Sequence, residues 1–206
     1  MNGYLQGGLG GSSGLGFNAL SNMGAITDVD GSPIDPTQWL EKMFWDRRSW
    51  GAAVTAGQTN NYFAREGNNT TRDTNMLTAS QFPAGTRVII TTIQVIPAAD
   101  VTLADLVLLQ NNLWLYSYVD EQEGFQAPIW HTPAGAGPSG YTTRNATDIV
   151  TNGVPNPNGV VPLATPIIVD RQSTFQIRIT SPAAITLSGA QNIEVACRCL
   201  VSRRIG

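Results

Sequence analysis

The single histidine of the chain, His131, is the first residue to test for chemistry. It stands between Trp130 and Thr132, and a serine nucleophile working through it would need a motif such as G-x-S-x-G, which is absent. One imidazole also cannot build a multi-histidine metal site. His131 is therefore read as a polar residue at a strand end. Asp120, Glu121 and Glu123 offer carboxylates of the kind that cleave glycosidic bonds, but such acids must face each other across a cleft. Acids this close in sequence fit a solvated hairpin turn better. The same oxygens could ligate Ca²⁺, although the EF-hand spacing is missing.

Cys197 and Cys199 lie two apart in an apparent strand, on one face, a poor geometry for a mutual disulfide. They read as two small buried hydrophobes. The N-terminal glycines do not form a nucleotide loop, because no strand precedes them and the G-x-G-x-x-G spacing fails. Asn69-Thr70-Thr71 and Asn145-Ala146-Thr147 match glycosylation sequons, which matter only in an exported chain, and no basic segment followed by an apolar core suggests Sec export. No run reaches the roughly 18 apolar residues that a membrane span requires. The expectation is a protein without catalytic residues, cofactor or metal, and not an enzyme.

Composition sharpens this. The 206 residues suffice for one well-covered core, and charged residues make up only 13%, with a net charge of −3. Neither nucleic acid nor an anionic membrane is an evident electrostatic partner. Lys42 is the only lysine; the remaining cations are arginines, which favour planar, multidentate pairing. Sparse charge on a protein in water points to a surface that meets other protein. The chain reads as a subunit.

The elements that would carry such a surface are mostly strands. Thr86 to Pro97 is the longest β pattern; its two faces, Val88, Ile90, Thr92, Gln94, Ile96 and Ile89, Thr91, Ile93, Val95, are both apolar or carry Thr, so both need cover. Asp35-Pro36 predicts a helix start, and Trp39, Leu40, Met43 and Phe44 recur at helical spacing as far as Trp50-Gly51. Three tryptophans there, Trp39, Trp45 and Trp50, exceed what one stripe of a short helix buries, which suggests core packing plus subunit contact. Thr102-x-x-Asp105 predicts a capping box on a short helix carrying Leu103, Leu106, Val107 and Leu109.

Further strands are predicted over 59–65, 113–119 with Trp114, Tyr116 and Tyr118 on one face, 125–131, 167–170, 173–180, 184–187 and 192–202. Residues 132–163 are rich in Pro, Gly and Asn and form a long loop, of a length usually functional or covered by a partner. Residues 1–34 read as an extended glycine-rich arm, interleaved with Tyr4, Leu5, Leu9, Leu15, Phe17 and Leu20, which a plain linker would not need. Residues 35–206 then form one all-β domain, a single eight-stranded jelly roll with one or two short helices. An immunoglobulin-like sandwich is the alternative.

Three segments, NNYFAREGNNTTRDTNM (60–76), QFPAGTRVIITTIQVIP (81–97) and STFQIRITSPAAITLSGAQNIEVACRCLVSRRIG (173–206), carry a resemblance. Over residues 55–206 the chain resembles the jelly-roll capsid proteins of tailless, icosahedral, often lipid-containing bacteriophages and related environmental viruses. The resemblance implies a self-assembling virion subunit, either major capsid or vertex protein, assembled in the host cytoplasm. Its implied partners are copies of itself and other virion proteins, with no small-molecule substrate; contact with an internal membrane or the genome stays open. Leu9, Leu15, Phe17, Trp39, Trp45, Arg203 and Arg204 are the expected subunit-contact residues. A second class of function is a lectin-like carbohydrate-binding or spike module, with Trp114, Tyr116, Trp130 or Tyr141 as stacking faces.

Overall fold

The structure, a computed structural model, describes residues 39–64, 73–83, 85–98, 101–134, 139–142, 148–151 and 161–202, all within one compact unit, Thr37–Gly206. In chain order the described elements are β1 (Trp39–Trp50), β2 (Ala53–Val54), β3 (Gln58–Tyr62), β4 (Val88–Pro97), α1 (Leu103–Asn112), β5 (Trp114–Val119) and β6 (Gln122–Pro128). A 3-10 turn, Ile129–His131, follows. Then come β7 (Ser139–Thr142), β8 (Asp148–Thr151), β9 (Ile167–Val169), β10 (Phe175–Ser181), β11 (Ile185–Thr186) and β12 (Gln191–Ser202). The molecule is all-β with antiparallel sheets and one α-helix among the described residues.

The pairing is nested. β1 pairs with β12, β2 with β11, β3 with β10, β4 with β9 and β5 with β6, while β7 and β8 form a hairpin inserted between the two halves. Two cross-pairings, β12 with β4 and β10 with β5, then join these pairs into two four-stranded sheets, ordered β1-β12-β4-β9 and β3-β10-β5-β6. Their inner faces share one apolar core. β12 supplies Ile193, Val195, Cys197, Cys199 and Val201 by strict alternation, with the partly exposed Glu194, Arg198 and Leu200 on the other side. β10 contributes Phe175, Ile177 and Ile179. Phe82 bridges the layers, 4.7 Å from the Phe44 ring on β1 and 5.5 Å from Phe175 on β10. Both thiols are free, and burial pushes them well above the ordinary cysteine range, so they pack as hydrophobes, as expected.

The predicted helix over 35–50 is a correction. Residues 35–38 lie outside the described residues, and 39–50 is a strand paired with β12 at every position. Apolar spacing at 39, 40, 43 and 44 suits a helix, but Phe44, Asp46, Arg48 and Trp50 equally repeat every second residue, and pairing to β12 decides between the two. The excess of tryptophan is thereby resolved: Trp50 is fully buried inside, whereas Trp39 and Trp45 lie on the outer face.

β4 is covered on both faces, as expected. Its face assignment needs amending, because Ile90 pairs with Cys199 and Thr92 with Arg198, leaving Thr91 as an inserted bulge residue. Alternation therefore restarts, and Val88, Ile90, Ile93 and Val95 all reach the core, while Ile89, Thr92 and Gln94 are buried on the opposite side. Thr91 Oγ1 donates to the Arg198 carbonyl at 3.2 Å, and the Thr91 carbonyl accepts from Leu163 N at 2.9 Å.

α1 forms where the capping box predicts it. Thr102 Oγ1 accepts from Asp105 N at 3.1 Å, and Leu106 and Leu109 turn inward. The Asp105 carboxylate accepts from Ser188 N at 2.9 Å, from the Ser188 hydroxyl and from Gln191 Nε2 at 3.1 Å, which ties the helix start to the β11–β12 connection. Burial opposes its ionisation, but these hydrogen bonds outweigh burial and hold its pKa below the ordinary carboxylate value.

Candidate functional site

The outer face of the first sheet is built by the register of four strands. Glu41, Met43 and Trp45 of β1 lie opposite Leu200, Arg198 and Ala196 of β12, which in turn lie opposite Ile89, Thr92 and Gln94 of β4, with Ile168 of β9 beyond Ile89. Met43 is 41% exposed and Ile168 42%, while Trp39, Trp45 and Leu200 are half-buried. An ion pair on this face, Arg198 Nε to Glu41 Oε1 at 3.2 Å, is solvated on both sides and contributes little to stability. Thus a sheet whose inner face already fills the core also carries apolar residues outside.

β1 is an edge strand, and part of its edge is closed by the segment 73–75. Trp45 N donates to Asn75 Oδ1 at 2.9 Å, Asn75 Nδ2 to the Met43 carbonyl at 2.8 Å, and Arg47 N to the Asp73 carbonyl at 2.7 Å. This strap spans Met43 to Arg47. Of the residues expected at subunit contacts, Trp39 and Trp45 sit on this outer face; Leu9, Leu15, Phe17, Arg203 and Arg204 lie outside the described residues.

Below the strap is a polar cluster that sequence reasoning missed. Asp46 is 1% exposed; its Oδ2 accepts from Phe63 N and from Arg48 Nη2, the latter at 3.2 Å, and Arg48 also donates to the Ala64 carbonyl. Phe63 has φ +66°, a strained conformation that its N–H bond to Asp46 helps hold. Next to it the fully buried Tyr62 hydroxyl accepts from Trp50 Nε1 at 3.1 Å, and burial pushes the Tyr62 phenol well above its ordinary value. Burial raises the Asp46 carboxyl above its ordinary value too, against the lowering by Arg48 and by Phe63 N. The alternation Phe44-x-Asp46-x-Arg48-x-Trp50 is the sequence signal that could have found this cluster.

The residues first considered for chemistry are dispersed. His131 is exposed in the 3-10 turn after β6, its ring 3.7 Å from that of Trp130, which is 53% exposed. Asp120 and Glu121 form the two-residue turn between β5 and β6, both with positive φ (+49° and +64°), and Glu123 lies in β6. The Ser173 side chain, then Thr174, hold the Asp120 carboxyl below its ordinary value. A shallow pocket of about 290 Å³, lined by Gln81, Phe82, Thr86, Asp170, Gln172 and Ser173, includes neither His131 nor the acidic turn. Among the described residues no group of three or more His, Cys, Asp or Glu could hold a metal ion, and no helix is long and apolar enough to cross a membrane. Both sequons, and the side chain of Tyr141, fall outside the described residues.

The outer face of the second sheet is different in kind. Trp114, Tyr116 and Tyr118 follow one another along β5, all half-buried, as the sequence predicts. Arg178 of β10 lies with its guanidinium carbon 4.3 Å from the Tyr118 ring centroid. No family model matches the chain, and neither a curated protein nor a solved structure matches it.

Proposed function

We propose that this chain is a virion structural protein, a self-assembling capsid subunit whose domain is a single eight-stranded jelly roll. Counting only the strands of the two main sheets, the first sheet takes them in the order 1-8-3-6 and the second in the order 2-7-4-5. That order results from one long antiparallel hairpin, pairs 1·8, 2·7, 3·6 and 4·5, wrapped once around a core, and this supports the jelly-roll reading. Since fold alone does not assign function, the reading rests on a surface. The observation that carries it is the outer face of the first sheet, where Met43 and Ile168 stand exposed beside half-buried Trp39, Trp45 and Leu200 in a chain with only 13% charged residues. Ile89, Thr92, Gln94 and Ala196 at its centre are already buried, so what is left for a neighbour is the apolar margin on β1 and β9. A neighbouring copy would bury it, with the flat aromatic residues as anchors.

Negative-stain electron microscopy of the purified full-length protein, with sedimentation velocity alongside, tests this directly. Shells, capsomers or closed rings are expected, and Ile168→Glu together with Met43→Glu should disperse them into folded monomers. A protein that stays monomeric at every concentration, or whose assemblies ignore both substitutions, overturns the reading.

A further inference from the structure

The second sheet carries a surface that subunit assembly does not explain. Along β5, every second residue is aromatic, so Trp114, Tyr116 and Tyr118 stand in line with a repeat of roughly 7 Å, twice the rise of an antiparallel strand. Their cross-strand neighbours are polar except for Pro128 of β6, which lies opposite Trp114. Trp114 lies opposite Thr180 of β10, which shares a 2.8 Å hydroxyl contact with Thr59 of β3; Tyr116 lies opposite Arg178 and the exposed Gln126 of β6. Arg178 in turn faces Asn61. Among the described residues, the buried Arg178 Nε and Asn61 Oδ1 have no hydrogen-bond partner.

We infer that this face binds a neutral oligosaccharide. A pyranose ring has a C–H face that is apolar and a rim of hydroxyls that both donate and accept. Flat rings set at intervals and flanked by amides, hydroxyls and a guanidinium fork match both features, whereas a purely hydrophobic partner would leave those polar groups unpaired. Charge argues against an anionic ligand: among the described residues of this face the one cation, Arg178, is already stacked on Tyr118, whose hydroxyl lies 3.4 Å from Glu123 Oε2, so they carry no excess of positive charge. Trp114 and Tyr116 are the stacking residues, and the exposed Gln126 is the hydrogen-bonding one. The site is separate from the outer face of the first sheet, so each can fail without the other.

Isothermal titration of the full-length protein with cellotetraose, chitotetraose and maltotetraose, preceded by a neutral glycan array, provides the test. At least one neutral oligosaccharide should bind, and Trp114→Ala and Tyr116→Ala should each weaken it about tenfold or more, as expected for a central aromatic contact. Tyr116→Phe, which keeps the ring, should stay within about threefold of wild type, a change below the tenfold that 1.4 kcal/mol represents. Gln126→Ala, at an exposed position that does not threaten folding, should also weaken binding. Absence of any neutral ligand at millimolar concentration overturns the inference, as does binding confined to sialylated or sulfated glycans. Variants at Trp114 and Tyr116 that disrupt assembly while leaving glycan affinity intact would assign the face to subunit contact and equally overturn it.

Discussion

Replacing Asp46 with alanine is expected to lower the unfolding free energy by about 3–5 kcal/mol, the usual cost of removing one partner of a buried ion pair. The carboxylate of Asp46 is almost wholly inside the protein, and it is the acceptor for both Phe63 N and Arg48. Without it, the Arg48 charge and the Phe63 N–H lose this shared partner in a low-dielectric site, and Phe63 loses a contact that holds its left-handed backbone. Asp46→Asn, which keeps an acceptor oxygen and removes the charge, should be milder.

The pH dependence has a definite sign. Because burial raises the folded-state pKa of Asp46 above its unfolded value, protonation favours the fold; this contribution is complete below the unfolded pKa and is lost as pH rises through the folded one. The stability difference between wild type and Asp46→Ala should therefore widen as pH falls from neutral into the carboxylate range, and Asp46→Asn should flatten the profile. Urea denaturation at several pH values measures both. An alanine variant within about 1 kcal/mol of wild type, or a difference that narrows on acidification, would show that Asp46 does not hold this corner as described.

Loss of residues 1–25 is expected to abolish or remodel assembly while leaving the domain folded. The apolar residues of this stretch, Leu9, Leu15 and Phe17 among them, are interleaved with glycines, which a plain linker would not need. The truncated protein should keep one cooperative thermal transition, with a Tm within about 4 °C of the full chain, and form none of the particles that the proposed function predicts for the full chain. Particles of unchanged size and shape would remove the arm from the assembly mechanism, and loss of the thermal transition would place it in the fold instead.

Local features were legible where one element determines its own structure. β12 alternates so regularly that burial follows from the residue types, and Thr102 and Asp105 mark the start of α1 with nothing else needed. Trp39–Trp50 was not legible because its apolar residues satisfy two periods at once, and the choice depends on a strand about 150 residues downstream in the chain. The bulge at Thr91 was hidden for a related reason: a slip in register exists only relative to β12. Asp46 looked like one acid among many, because its hydrogen bond to Phe63 N arises from the approach of two strands and a strained residue. The outer faces were half legible. Trp114, Tyr116 and Tyr118 could be placed on one side from spacing alone, but the polar neighbours that give that side its character come from β3, β6 and β10.

The nested pairing also implies an order of events in folding. The β5–β6 pair closes a turn of two residues, whereas β3 with β10, and then β1 with β12, close progressively longer loops, each with a greater loss of chain entropy. We expect the domain to zip from its middle outward, so that β1 docks last; pulsed hydrogen exchange showing β1 amides protected before those of β5 would reverse this order. Since Met43 and Trp45 reach the outer sheet face only when β1 has docked, an unfinished chain cannot present that face. If the chain assembles as proposed, completion of the fold would itself act as the checkpoint for entry into a growing particle.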